Sequence, residues 1–106
     1  MKTHLLISLF LILLLSACSK SSDPGQNEVF IQNMSFNPSS LTVTQGTTVT
    51  WTNKESVTHT VTSNTSIFNS DNLSNGGTFS YKFNTVGTFP YHCSIHSGMT
   101  GTIIVK

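Results

Sequence analysis

Near the end of the chain, "YHCSIHSGM" (residues 91–99) sets a thiol, two imidazoles and a thioether within nine positions. Cys93, His96 and Met99 are spaced by three, and His92 adjoins the cysteine. Taken singly, each side chain has a plain reading. A free cysteine packs as a small hydrophobe, Met99 fills a core, and His59, far upstream, is a core histidine with a backbone partner. A nucleophilic Cys–His pair would need a third group to orient the base and an oxyanion site, and no residue near Cys93 supplies the orienter. Together the residues say something else. The spacings of three let one loop curl its donor atoms around a single point, and His59 would add a fourth donor. Two imidazoles, one thiolate and a thioether form a soft, compact set, the trigonal His₂Cys arrangement with a weak axial Met that suits copper. Zinc prefers more thiolates or carboxylates and rarely accepts a thioether.

Such donors must be brought together by rigid elements, and the pattern upstream is strand-like throughout. Val29-Phe30-Ile31 leads to Met34 and Phe36, with Met34 expected in the core of this first strand, before Asn37-Pro38 breaks the run. Leu41-Thr-Val43-Thr alternates and turns at Gln45-Gly46; Thr48-Val49-Thr50-Trp51-Thr52 alternates again. Val57, His59 and Val61 are expected on one inward face. Residues 64–77 read as irregular, with Asn75-Gly76-Gly77 as a turn signal. Phe79, Tyr81 and Phe83 share a face, as do Phe89, Tyr91 and Cys93, and Ile103 and Val105 close the last strand. Seven to eight short strands with no helical period predict an all-β, Greek-key β-sandwich. His92, by alternation, faces away from Cys93 and reads as a surface residue.

The 106 residues divide into three expected parts. Residues 1–17 read as a signal segment: Lys2, then Leu5 to Leu15, apolar apart from Ser8 and far short of the roughly 20 residues a spanning helix needs. Leu15-Ser16-Ala17-Cys18 resembles a bacterial lipoprotein cleavage box, which implies a lipidated Cys18 and a membrane anchor outside the cytoplasm. Residues 18–27 form a polar tether, and residues 28–106 form one small domain. With Cys18 acylated, Cys93 is the one thiol left, so no disulfide can staple a domain whose core is marginal in size. An odd cysteine in an oxidising compartment is safest when a metal occupies its sulfur. The basic residues are all lysines, nearly balanced by Asp23, Glu28, Glu55 and Asp71. A near-neutral chain has no basic stripe for nucleic acid.

From about Val29 to Lys106 the chain resembles the cupredoxins, in particular the plastocyanin, pseudoazurin and amicyanin group. The resemblance is carried, in family order, by Phe36-Asn-Pro38, Leu41-Thr-Val43, Gly46-Thr-Thr-Val-Thr-Trp-Thr-Asn53, His59-Thr-Val61, Gly77-Thr-Phe-Ser-Tyr81, Gly87-Thr-Phe-Pro-Tyr91, Cys93-x-x-His96-x-x-Met99 and Gly101-Thr-Ile. It implies a single type 1 copper, with His59 as upstream ligand, Cys93 as thiolate, His96 as solvent-edge ligand and Met99 as axial ligand. Three positions depart from the pattern. Thr60 stands where plastocyanin and amicyanin carry Asn, which changes a side-chain tie between ligand loops. Ile95 stands where Pro is usual, and His92 replaces an aromatic of plastocyanin. The first two bear on the redox potential.

The function these readings predict is one-electron transfer between extracytoplasmic redox partners, with docking at an uncharged patch around His96. No substrate is turned over, so the chain is not expected to be an enzyme, and a monomer is expected. Copper storage, delivery or sensing is the alternative; it would favour exposed ligands and extra Met or His, which the domain lacks. Multicopper oxidase chemistry needs more histidines, and a dinuclear copper centre needs two loop cysteines.

Overall fold

The computed structural model describes residues 23–106; the expected signal segment 1–17 and Cys18 lie outside the described residues. Eight strands make up the domain, and no helix is present among the described residues. They are β1 (Glu28–Gln32), β2 (Ser35–Asn37), β3 (Ser40–Val43), β4 (Thr47–Asn53), β5 (Thr62–Ser63), β6 (Thr78–Phe83), β7 (Gly87–His92) and β8 (Thr100–Val105). One sheet has the order β2-β1-β4-β6 and the other β3-β8-β7-β5. Pairing is antiparallel except where β1 lies parallel to β4 and β3 parallel to β8. This is the expected all-β sandwich.

Alternation places the core between the sheets. Along β4, Val49, Trp51 and Asn53 are buried while the residues between them are partly or fully exposed. Trp51 is wholly buried and meets four rings, with centroids at 5.4 Å (Tyr91), 5.7 Å (Phe79), 5.9 Å (Phe68) and 6.3 Å (Phe83). Fully burying a large apolar side chain stabilises a fold by about 1.5–3 kcal/mol, so this aromatic group is the main brace of a small domain. Tyr91 lies over Gly101, its partner across β7 and β8. A Cβ at position 101 would sit 2.3 Å from the Tyr91 ring, so only glycine lets the ring lie there. That contact fixes β7 two residues before Cys93.

Two sequence expectations change. Met34 is not core: it is 44% exposed. Asn33 and Met34 both have positive φ, 53° and 55°, and form the two-residue turn that joins β1 to β2 with Gln32 opposite Ser35. At a hairpin tip the side chain points away from the sandwich. Val57 is also exposed, at 42%, while His59 and Val61 are fully buried. The run expected to be a strand at residues 57–61 is a loop, because the Asn53 side chain draws the Val57 carbonyl inward at 2.8 Å and curls the chain. The irregular segment 64–77 is a strap laid antiparallel against this loop. His59 and Leu73 exchange backbone bonds of 3.2 and 2.8 Å, Ser70 donates to Val61, and Ser63 donates to Phe68. Phe68 and Leu73 are thereby buried.

Candidate metal centre

At the end of the sandwich where β4 and β7 both finish, three donors converge. The ring nitrogens of His59 and His96 and the sulfur of Cys93 all lie within 4.8 Å of one another. Cys93 Sγ is 3.8 Å from His59 Nδ1 and 3.5 Å from His96 Nδ1. With metal–sulfur and metal–nitrogen bonds of about 2.3 and 2.0 Å, such separations correspond to angles of about 110–125° at one ion. Each sulfur–nitrogen pair is therefore spaced to share one metal ion. His59 is wholly buried, Cys93 is 2% exposed, and His96 is half-buried at the surface.

Each imidazole must present a lone pair, and the surroundings decide which nitrogen does so. Glu55 Oε1 lies 2.5 Å from His59 Nε2. A carboxylate only accepts, so Nε2 points its proton at Glu55, and Nδ1 is the nitrogen turned to Cys93. Glu55 is itself held: it accepts the Met34 N–H at 3.2 Å, and its own N–H donates to Asn53 Oδ1 at 3.0 Å.

The sulfur receives several donors. Thr60 N–H points at Sγ at 3.4 Å, and the His59 and His96 rings flank it. Burial alone would push the thiol up; the Thr60 N–H, the two imidazoles and the Ile95 N–H outweigh it and hold Cys93 at about 6, below its ordinary 9.0. A thiolate is the form that binds metal. Met99 completes the loop: it is 5% exposed, its carbonyl accepts the Cys93 N–H at 3.0 Å, and its N–H donates to His96 O. Gly98, at φ +85°, provides the left-handed turn that brings Met99 back beneath the loop.

Thr60 keeps the sulfur contact by its backbone and makes a new tie by its side chain. Its hydroxyl accepts the Ser94 N–H at 2.8 Å and lies 2.9 Å from both Ser94 Oγ and Thr62 Oγ1. Thr62 donates to Asn69 Oδ1, so it accepts from Thr60, and both Thr60 lone pairs are left for Ser94. His92 does point away from the cluster, with Nδ1 2.5 Å from Asn64 Oδ1. Sequence reasoning missed Asn53, Glu55 and Ser94. The available signal was Glu55, one of four acids in the chain, four residues before His59.

A family model described as a cupredoxin-like domain matches residues 5–105, and the chain belongs to that family. It is 34% identical over 87 residues to amicyanin-alpha of Methylorubrum extorquens, covering 77% of this chain and 73% of that protein. It is 36% identical over 89 residues to plastocyanin of Scenedesmus fuscus, covering 67% and 86%. Among solved structures, a purple cupredoxin from Nitrosopumilus maritimus is similar at a TM-score of 0.70 and 32% identity, covering 74% of this chain and 98% of that one. The Cu(I) form of an amicyanin mutant, with one methionine replaced by alanine, is similar at a TM-score of 0.71 and 30% identity, covering 74% and 80%. The family and the soft donor set agree on copper as the cofactor.

Proposed function

We propose that His59 Nδ1, Cys93 Sγ, His96 Nδ1 and the Met99 thioether hold one copper ion, and that the protein carries single electrons between redox partners outside the cytoplasm. The observation that carries this reading is the convergence of two imidazole nitrogens and a sulfur within 4.8 Å at the rim of the sandwich. Copper bound there supplies reversible exchange of one electron between Cu(I) and Cu(II). The chain's part is to stay still. Its ligand atoms are fixed by the Glu55 carboxylate, the Thr60 N–H and the Met99–Cys93 backbone bond, so little has to move as the charge changes.

His96, half-buried, is the side chain through which electrons enter and leave. Beside it Ile95 is 48% exposed, and the loop 93–99 contains no lysine, arginine or carboxylate. Val57 and Met34, both exposed, belong to segments tied to the same site through Asn53 and Glu55. The uncharged loop surface around His96 and Ile95 suits small and short-lived contacts with other redox proteins. Burial of His59 and Cys93 opposes ready surrender of the metal and so favours a carrier over a copper-delivery protein.

We also place a lipid anchor on Cys18, on the strength of the Leu15-Ser16-Ala17-Cys18 box, with residues 18–27 as tether. Mass spectrometry of the protein from membranes should find acyl chains on a terminal Cys18; an unmodified one would remove the anchor from this reading.

The visible and paramagnetic-resonance spectra of the protein with one equivalent of Cu(II) test the site. An intense thiolate-to-copper band is expected, absent in Cys93→Ser. Met99→Leu should retain the band and raise the potential, since a weak donor to Cu(II) is lost. A Cys93→Ser protein that keeps the band would overturn the assignment.

A further inference from the structure

Asn53 is a fully buried polar side chain in the core of a small domain, at the last residue of β4. Its amide commits every group to backbone. Nδ2 donates to Val57 O at 2.8 Å and to Leu73 O at 2.9 Å, and Oδ1 accepts the Glu55 N–H at 3.0 Å. Two carbonyls on one side and an N–H on the other leave no ambiguity about which atom is nitrogen. Its main chain is occupied as well: its N–H donates to Gly77 O and its carbonyl accepts the Gly76 N–H.

Those partners surround one ligand. Leu73 O accepts from both Asn53 Nδ2 and the His59 N–H, and the Leu73 N–H donates to His59 O. The backbone of His59 is therefore held by a residue that Asn53 holds. Glu55, whose N–H ends on Asn53 Oδ1, grips the far nitrogen of the same imidazole. Val57 closes the loop between them. We infer that Asn53 is a positioning residue for His59, fixing the backbone of that ligand through Leu73 and its ring through Glu55. No other side chain of this length does the same. Aspartate would set an acceptor against the Val57 and Leu73 carbonyls, and leucine would leave both carbonyls and the Glu55 N–H unpartnered.

The inference rests on His59 being a copper ligand, but its test does not need copper. In the metal-free protein, hydrogen exchange read by NMR should show the His59 ring Nε2–H and the Glu55, His59 and Leu73 amides protected together with the Asn53 side-chain amide. Asn53→Ala and the milder Asn53→Ser should lower protection of the His59 ring proton at least tenfold while leaving the Ile103 and Val105 amides of β8 as they were. The copper form of the same variants should shift its visible band or copper hyperfine coupling. A variant that loses stability yet keeps the His59 ring proton protected and the copper spectrum unchanged would reduce Asn53 to a structural role and overturn the inference. If neither variant folds, the wild-type exchange decides: His59 and Leu73 amides that stay protected where the Asn53 amide exchanges freely would also overturn it. Failure of the copper assignment shows separately, in the band of Cys93→Ser.

Discussion

The two halves of the metal centre are held in different ways. His59 comes from a loop sealed on all sides: β4 behind it, the strap 64–77 beside it, and Glu55 on its outer nitrogen. It has no exposed surface. Cys93, His96 and Met99 come from one loop closed by two backbone bonds within itself and one hydroxyl clasp to Thr60, with Ser94, Ile95, Ser97 and Gly98 exposed. The first half is built as part of the core; the second is a short bridge between β7 and β8. A site that must bind metal without rearrangement and also meet a partner needs both. The buried half sets the position, and the exposed half gives access.

The sharpest way to break this contrast is to truncate one histidine from each half in the metal-free protein. His59→Ala should cost about 2–4 kcal/mol, because it opens a cavity and strips the Glu55 carboxylate of its ring partner. His96→Ala should cost less than about 1 kcal/mol, as expected for a ligand at the surface. Equal losses, read from denaturant unfolding, would mean that the two halves are equally part of the core.

Acidity offers a second probe, centred on the sulfur that both halves share. Cys93 is held at about 6 in the folded chain against an ordinary 9.0. The folded state then binds fewer protons than the unfolded one between those values, so this group's contribution is full above pH 9 and lost as pH falls through 6. Stability of the metal-free protein should rise between pH 6 and pH 9, by at most about 1.4 kcal/mol per pH unit from one group. Denaturant midpoints across that range check it, and Cys93→Ser should flatten the rise. A wild-type profile without slope would show that the donors around Sγ do not favour the thiolate.

The same contrast explains what could be read from the chain alone. The strands and their inward faces followed from alternation in β4, β6, β7 and β8, where burial has a period of about two. The ligand loop was legible because its donors are close in sequence. His59 was legible only jointly with that loop, as its fourth donor, and through resemblance to the family, since a buried histidine on an apolar run has a common structural reading. Most of what holds His59 was hidden: Asn53 and Leu73 act on it through backbone groups across up to 20 positions with no local pattern to mark them, and Glu55, four residues before it, was the one sign in the sequence. Met34 misled because an apolar residue between Ile31 and Phe36 looks like a strand interior. The two-residue turn at Asn33-Met34 lacks glycine, and Asn33, which tolerates positive φ, was its one weak sign in the sequence.

The smallest expected effect lies at the clasp between the halves. Thr60→Val is nearly isosteric and keeps the N–H that points at Sγ, but removes the hydroxyl that receives Ser94. The Ser94 side chain is exposed, so water can replace part of the lost bonding, and the stability cost should be about 1 kcal/mol. Because the sulfur contact survives, the visible band should stay in place. Without the clasp the exposed loop opens more often, so copper should pass to a strong chelator several-fold faster, and Thr60→Ser should restore the slow rate. If Thr60→Val loses copper no faster than the wild type while its stability falls, the hydroxyl serves the fold alone. The two halves would then be joined by Cys93 and its backbone contacts, with the side chain at position 60 adding nothing to the grip on metal.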